Sequence, residues 1–296
     1  MGRQDFIKQI ENSEEFKILA KVANQADGAT ADDAVQQIAH MTMAALAARG
    51  PDVHGGVGLI DYNVSLALME LSQRLEPGKH RRLVEFVSIL QKQTATDPSS
   101  GKPLKIQGDT LWTDLPSLGY TELETWYEYG GEYKDPCDPN MAPEQQQRWV
   151  NLNAFIAQLS QAADFHYTSP NVPLNAHPMD KSLRAIWTMA KALEDGERPP
   201  ETLVDTAAMR AACVWFVHAA DRLWANVQHG RTYVQSSGAG SGSAKYAGRG
   251  WNGFGRERWD VWKQGLQDAR AACTDEGMKQ LIGDALAHMK RVMADN

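Results

Sequence analysis

Ala211-Ala-Cys-Val-Trp-Phe-Val-His-Ala-Ala-Asp-Arg-Leu-Trp-Ala-Asn-Val227 is the stretch on which the fold turns. Ala212, Trp215, Phe216, Ala219, Leu223 and Val227 recur in it at the three- and four-residue spacing of one helix face. Met278, Leu281, Ile282, Ala285, Leu286, Met289 and Val292 repeat that spacing near the C-terminus. Nothing comparable alternates apolar and polar residues over a strand's length. The pattern predicts an all-α fold, a single-domain multi-helix bundle with long loops.

Outward from this stretch, helices are expected at about 144–164, 179–195, 201–229, 256–273 and 275–294. Upstream, Thr30-Ala-Asp-Asp33 starts a helix, because the Thr hydroxyl can cap the first amides and the carboxylates favour the positive helix end. Gly50-Pro51 stops it. Further helices are expected at about 59–75, 81–93 and 121–129, with period-free loops at 94–110 and 130–143. A division of the chain could fall at the second loop, although one shared helical core is the expectation. The Gly/Ser tract Ser236 to Ser243 is too polar to pack and predicts a mobile loop, either a plain connection or a lid over a site.

The charge balance narrows the partners. Thirty Lys and Arg against 37 Asp and Glu leave a net charge of -7, so no global positive field draws in nucleic acid. No apolar run approaches the roughly 20 residues that cross a bilayer, so no membrane span is expected. The first residues carry no signal-peptide core, and three widely spaced cysteines fit neither a disulfide framework nor a thiolate metal site. A reducing, cytoplasmic location is the expectation, with no chemistry on Cys137, Cys213 or Cys273.

Several polar groups stand out against apolar helices. Asn151 and Asn153 sit in Trp149-Val-Asn-Leu-Asn-Ala-Phe155, where two amides are costly unless each finds partners. They read either as a structural hydrogen-bond network or as oxygen ligands for Mg²⁺. Glu124 and Glu128 are four apart among aromatics, so one carboxylate near a pocket, as a metal ligand, is expected beside the plainer reading of solvated charge. His218 and Asp221 read as a core pair. Arg258, Lys263 and Lys290 are helix cations that complement helix dipoles or, if they converge, bind a phosphate. Nine Trp and eleven Met fill a core or line a cavity whose aromatic faces steady a carbocation; Trp215 and Trp259 are the wall residues proposed for such a cavity.

Leu115-Pro116, Leu123-Glu124-Thr-Trp126, Trp149-Val-Asn-Leu-Asn-Ala-Phe155, Ala185-Ile-Trp187 with Ala192-Leu-Glu194, and Gly253-Phe-Gly-Arg-Glu-Arg-Trp-Asp-Val-Trp-Lys263 resemble, in order, the blocks of the OpdG-like helical family of fungal biosynthetic gene clusters. Leu286-Ala-His-Met-Lys290 is similar to a C-terminal pattern of the unconventional sesquiterpene cyclases of fungal tropolone-sesquiterpenoid clusters, the humulene synthases. That resemblance implies farnesyl diphosphate as substrate, Mg²⁺ as cofactor, Leu286 as the pocket-shaping residue and Lys290 as the diphosphate ligand; Met289, in the same apolar row, is expected to line the pocket with Leu286. The chain departs from conventional terpene synthases in having no D-D-x-x-D, and Asp61-Tyr-Asn-Val-Ser65 with Glu70 has the wrong spacing for their second metal motif. The competing expectation is a non-catalytic helical module that binds a ligand or partner.

Overall fold

Helices account for nearly all regular structure in the chain. In a computed structural model, the described residues are 2–49, 56–131, 134–167, 177–234 and 237–294. The expected stop at Gly50-Pro51, and Ser236 of the Gly/Ser tract, lie outside them. The helices are α1 (Arg3–Asn12), α2 (Glu14–Asn24), α3 (Ala31–Arg49), α4 (Val57–Arg74), α5 (His80–Leu90), α6 (Pro116–Tyr127), α7 (Pro143–Ala162), α8 (Ser182–Leu193), α9 (Ala207–Gln228), α10 (Arg256–Ala272) and α11 (Glu276–Ala294). One two-stranded ribbon, Lys105–Ile106 against Asp109–Thr110, interrupts the first long loop. The all-α reading therefore holds, and the short helices α1 and α2 add to those expected.

Local chemistry explains the helix starts. Thr30 Oγ1 accepts from the Asp33 amide at 3.1 Å while Asp33 Oδ2 accepts from the Thr30 amide at 3.2 Å, a reciprocal cap for α3. Ser13, Thr206 and Asp275 cap α2, α9 and α11 with side-chain oxygens that accept from Phe16, Met209 and Met278 amides.

The chain divides into two compact units, Met1–Tyr127 and Glu128–Asn296, at the start of the loop where the sequence offered a boundary. In the first, α4 packs on α2, α3 and α6, and Leu19, Val35, Ile38, Leu68, Phe86 and Trp126 are buried. In the second, α9 is the central helix and packs on α7, α8 and α11. It is buried nearly all round, from Ala207 to Val227, as a helix with apolar residues on every face must be. Its backbone leaves helical geometry at Ala219, with φ -140° and ψ 22°, so the helix is kinked there.

Asp61 ties the first unit together at a cost. It is 2 % exposed, and its Oδ2 accepts from the Ser117 amide at 3.0 Å and the Ser117 hydroxyl at 2.6 Å. Burial outweighs these bonds and pushes its carboxyl up from 3.8 to about 6. Below the unfolded value, both states hold the proton. Between about pH 4 and 6 the unfolded carboxyl ionises first, so this site's contribution to stability falls as pH rises and is lost above 6. Asp61→Asn should raise the unfolding free energy of this unit at pH 7, by as much as about 3 kcal/mol, and flatten its fall between pH 4 and 6. Urea titrations across that range measure it; an unchanged pH profile in the variant refutes it.

Candidate functional site

In the second unit, two buried arginine–carboxylate nodes and one buried amide organise the polar residues. The first node is Glu194 at the end of α8. Both it and Arg258, in the first turn of α10, are buried to 1 % or less. Glu194 Oε1 accepts from Arg258 Nε at 2.7 Å and Trp262 Nε1 at 2.6 Å, and Oε2 accepts from Arg258 Nη2 at 3.0 Å and the Ser243 amide at 3.3 Å. Arg258 also donates to the carbonyls of Gly240 at 2.7 Å, Gly253 at 3.1 Å and Ser241 at 3.1 Å. These bonds use all five guanidinium N–H groups.

The sequence expectation that Arg258 binds diphosphate is therefore corrected: its donors are spent on Glu194 and three carbonyls. The Gly/Ser tract is corrected with it. Residues 237–243 are fastened to this node rather than loose, because Arg258 needs their carbonyls, Trp187 Nε1 donates to Ala239 O at 2.8 Å and the Ser243 hydroxyl donates to Glu194 O. Glycine is required where the strands of this loop meet. A Cβ at Gly240 would lie 2.7 Å from the Asn252 carbonyl, and one at Gly253, at φ +148°, would lie 2.1 Å from Arg231 O.

Asn153 is the amide centre. Its Oδ1 accepts from Thr188 Oγ1 at 3.1 Å and Trp215 Nε1 at 3.0 Å, and its Nδ2 donates to Trp149 O at 2.9 Å. The Thr188 hydroxyl divides its one proton between Asn153 and Arg184 O, 2.8 Å away, whereas the Trp215 indole N–H is committed to Asn153, so this fully buried amide ties α7, α8 and α9 together as a structural network. Asn151, also buried, accepts from Gln147 Nε2 at 2.7 Å. Glu124 is exposed and belongs to the other unit, and α6 ends before Glu128, so the two carboxylates do not share one helix. The donor set expected for Mg²⁺ does not fit. Among the described residues no three His, Cys, Asp or Glu side chains are grouped to hold a metal ion. Asn153→Ala should cost about 2–3 kcal/mol by orphaning the buried Trp215 indole N–H, whether Mg²⁺ is present or absent. A loss seen only with Mg²⁺ would return Asn153 to the ligand role.

On α11, Met289 is fully buried, Leu286 half-buried and Lys290 exposed. Lys290 makes no ion pair among the described residues, whereas its neighbour Arg291 grips Asp221 with bonds of 2.9 and 2.7 Å. Asp221 is thus paired across to α11, not with His218. Burial, and then the proximity of His288, hold the His218 pKa below its usual value. Lys263 is half-buried on α10. Trp259 is fully buried against Phe216, Trp224 and Trp262, with ring centroids 5.4, 5.2 and 6.4 Å away, so Trp215 and Trp259 are core residues rather than residues of an open wall. All three cysteines are buried thiols, and burial pushes Cys137 up to about 12.

Sequence reasoning missed the second node. Asp180, just before α8, and Arg231, just after α9, are a buried ion pair between Asp180 Oδ2 and Arg231 Nη1. Asp180 Oδ1 accepts from the Ser182 amide at 3.2 Å and the Ser182 hydroxyl at 2.5 Å. Asn226 Oδ1 accepts from Tyr167 at 2.7 Å and from Arg231 Nη1 at 3.4 Å. Arg222 fastens the residues after α7, donating to Ser160 O, Ala163 O and the Tyr167 hydroxyl. The only signal in the sequence was the run of Arg and Tyr after α9, which loops share.

The fold and these nodes define a class: an all-helical protein whose larger unit is held by buried arginine pairs, with no helix among the described residues long and apolar enough to cross a membrane. Residues 66–266, well over half of the chain, match the family described as "Protein of unknown function (DUF3632)". The chain belongs to that family. No curated protein and no solved structure matches it.

Proposed function

We propose that this chain is an unconventional sesquiterpene cyclase of fungal secondary metabolism, which ionises farnesyl diphosphate and closes the resulting cation to a humulene-type hydrocarbon. The observation that carries the reading is the row on α11, where a buried Met289 and a half-buried Leu286 lead to an exposed Lys290 with no ion pair among the described residues. An ammonium at the end of an apolar row can draw charge off a departing diphosphate, while the row shelters the allyl cation from water. Arg258 and Asn153 have no part in this reading, since both are used in the core. Of the other cations the sequence singled out, Lys263 remains to join Lys290.

The test is incubation of the purified chain with farnesyl diphosphate, with Mg²⁺ and with chelator, followed by gas chromatography of the extract. A sesquiterpene hydrocarbon above the no-enzyme control is the expected result. Folded protein that yields none in either condition ends the proposal.

A second reading, a non-catalytic ligand-binding module, has its own support. In the first unit a groove of about 650 Å³ between α2 and α3 is lined by Ile18, His40 and Met41 with Lys17 and Lys21 at its rim. Such a groove admits a small apolar ligand without any chemistry. Ligand-dependent stabilisation lost in Met41→Asp, together with a blank hydrocarbon assay, would favour this reading.

A further inference from the structure

The Arg231 node holds more donors than acceptors. Asn226, Arg231 and Tyr233 are each at most 1 % exposed, yet Asn226 Nδ2, Arg231 Nε and the Tyr233 hydroxyl have no hydrogen-bond partner. The three groups are neighbours: Arg231 Nη1 reaches Asn226 Oδ1 at 3.4 Å, and the Arg231 guanidinium lies 5.2 Å from the Tyr233 ring centroid. Buried donors left empty are costly, and three on neighbouring residues call for an acceptor.

Charge points the same way. The charged groups acting on the Tyr167 and Tyr233 hydroxyls are Arg184, Arg222 and Arg231 against the one carboxylate of Asp180. His177, the titratable group beside them, has its pKa lowered chiefly by burial, which disfavours its charged form. A single water offers two lone pairs to three donors and leaves the surplus positive charge in place. A multivalent oxyanion supplies enough acceptors and balances the charge.

We infer that the cluster of Asn226, Arg231 and Tyr233 is a binding site for a phosphate or diphosphate group, whose oxygens accept from the three empty donors. Asp180 orients Arg231 so that Nη1 is held and Nε is left for the ligand. The phenol of Tyr233 donates without ionising, because burial holds its pKa well above the usual value. The site takes any phosphorylated small molecule of this chemistry and does not depend on the cyclase reading.

Calorimetric titration and thermal-shift measurement of the full chain with inorganic phosphate and with pyrophosphate, at constant ionic strength, test the site; acetate and chloride are the controls. The expected result is binding of one or both phosphate anions, with the tighter of the two naming a mono- or diphosphate ligand, and no response to the controls. Tyr233→Phe removes only a hydroxyl without a partner, so it should leave the unliganded midpoint unchanged and weaken binding about tenfold or more. Asn226→Asp keeps the oxygen that accepts from Tyr167 and Arg231 and puts a carboxylate oxygen in place of the empty donor, so binding should vanish.

No response of the wild type to either phosphate anion, an equal response to acetate, or affinities unchanged in both variants would each overturn the inference. Should Asn226→Asp fail to fold, Tyr233→Phe alone decides. Because the readout is anion binding without farnesyl diphosphate, it stands or falls apart from the hydrocarbon assay: a chain can bind pyrophosphate here and make no product, or make product and ignore both substitutions.

Discussion

Glu194→Ala destabilises the larger unit by about 3–5 kcal/mol, which lowers its unfolding midpoint by roughly 10 °C. The substitution leaves the Arg258 guanidinium buried beside no carboxylate, takes the acceptor from Trp262 Nε1 and releases the Ser243 amide. An isolated buried charge costs far more than an unpaired surface one, so the effect belongs to the orphaned arginine and not to the lost attraction alone. Glu194→Leu combined with Arg258→Met should recover much of the loss, since it removes both charges together. The same node fastens residues 237–253, so limited proteolysis should cut that segment faster in Glu194→Ala than in wild type, and faster still in the double variant, which also loses the Arg258 donors to Gly240, Ser241 and Gly253. Thermal unfolding of wild type and these two variants makes the comparison. A single variant within about 1 kcal/mol of wild type would mean that the pair does not hold the unit.

On the proposed cyclase reading, Lys290→Ala should reduce hydrocarbon formation from farnesyl diphosphate by about a hundredfold or more, an effect of the size seen when one preorganised charge is taken from a transition state. Its thermal midpoint stays near that of wild type, because an exposed lysine with no ion pair among the described residues contributes about 0–1 kcal/mol. Leu286→Met is the companion substitution: on the same reading it should keep turnover and change the product mixture, since it alters a half-buried apolar surface and removes no charge. Gas chromatography of paired reactions reads both. Near-wild-type turnover by Lys290→Ala would make the lysine a solvated helix-end cation and remove the cyclase reading's main support.

These two residues mark where the sequence could be read and where it could not. Lys290 was visible because it ends an apolar row that follows helical spacing, and such a row is local. Glu194 stood in the chain only as part of a block of resemblance. Its role depends on Arg258, 64 residues away, and on Trp262, 68 away. Asn153 lay between those cases. An asparagine in an apolar helix asks for partners, but Thr188 and Trp215, 35 and 62 residues distant, had to be brought to it before a network could be told from a metal ligand. The Gly/Ser tract misled because its composition describes an unpacked loop, whereas its backbone carbonyls serve a buried arginine that composition does not show.

By itself the sequence determined the longer helices and their faces, the cap at Thr30, and the absence of a net positive field, because each rests on hydrogen bonds or side-chain spacing within a few residues, or on a sum of charges. The tertiary structure alone decided which polar groups are consumed and which are left with donors to give. That choice is made by contacts between residues brought together from separate elements, as Asp180 and Arg231 are from 51 positions apart, and by burial, which raises the cost of every unpaired donor and carboxylate once water is excluded.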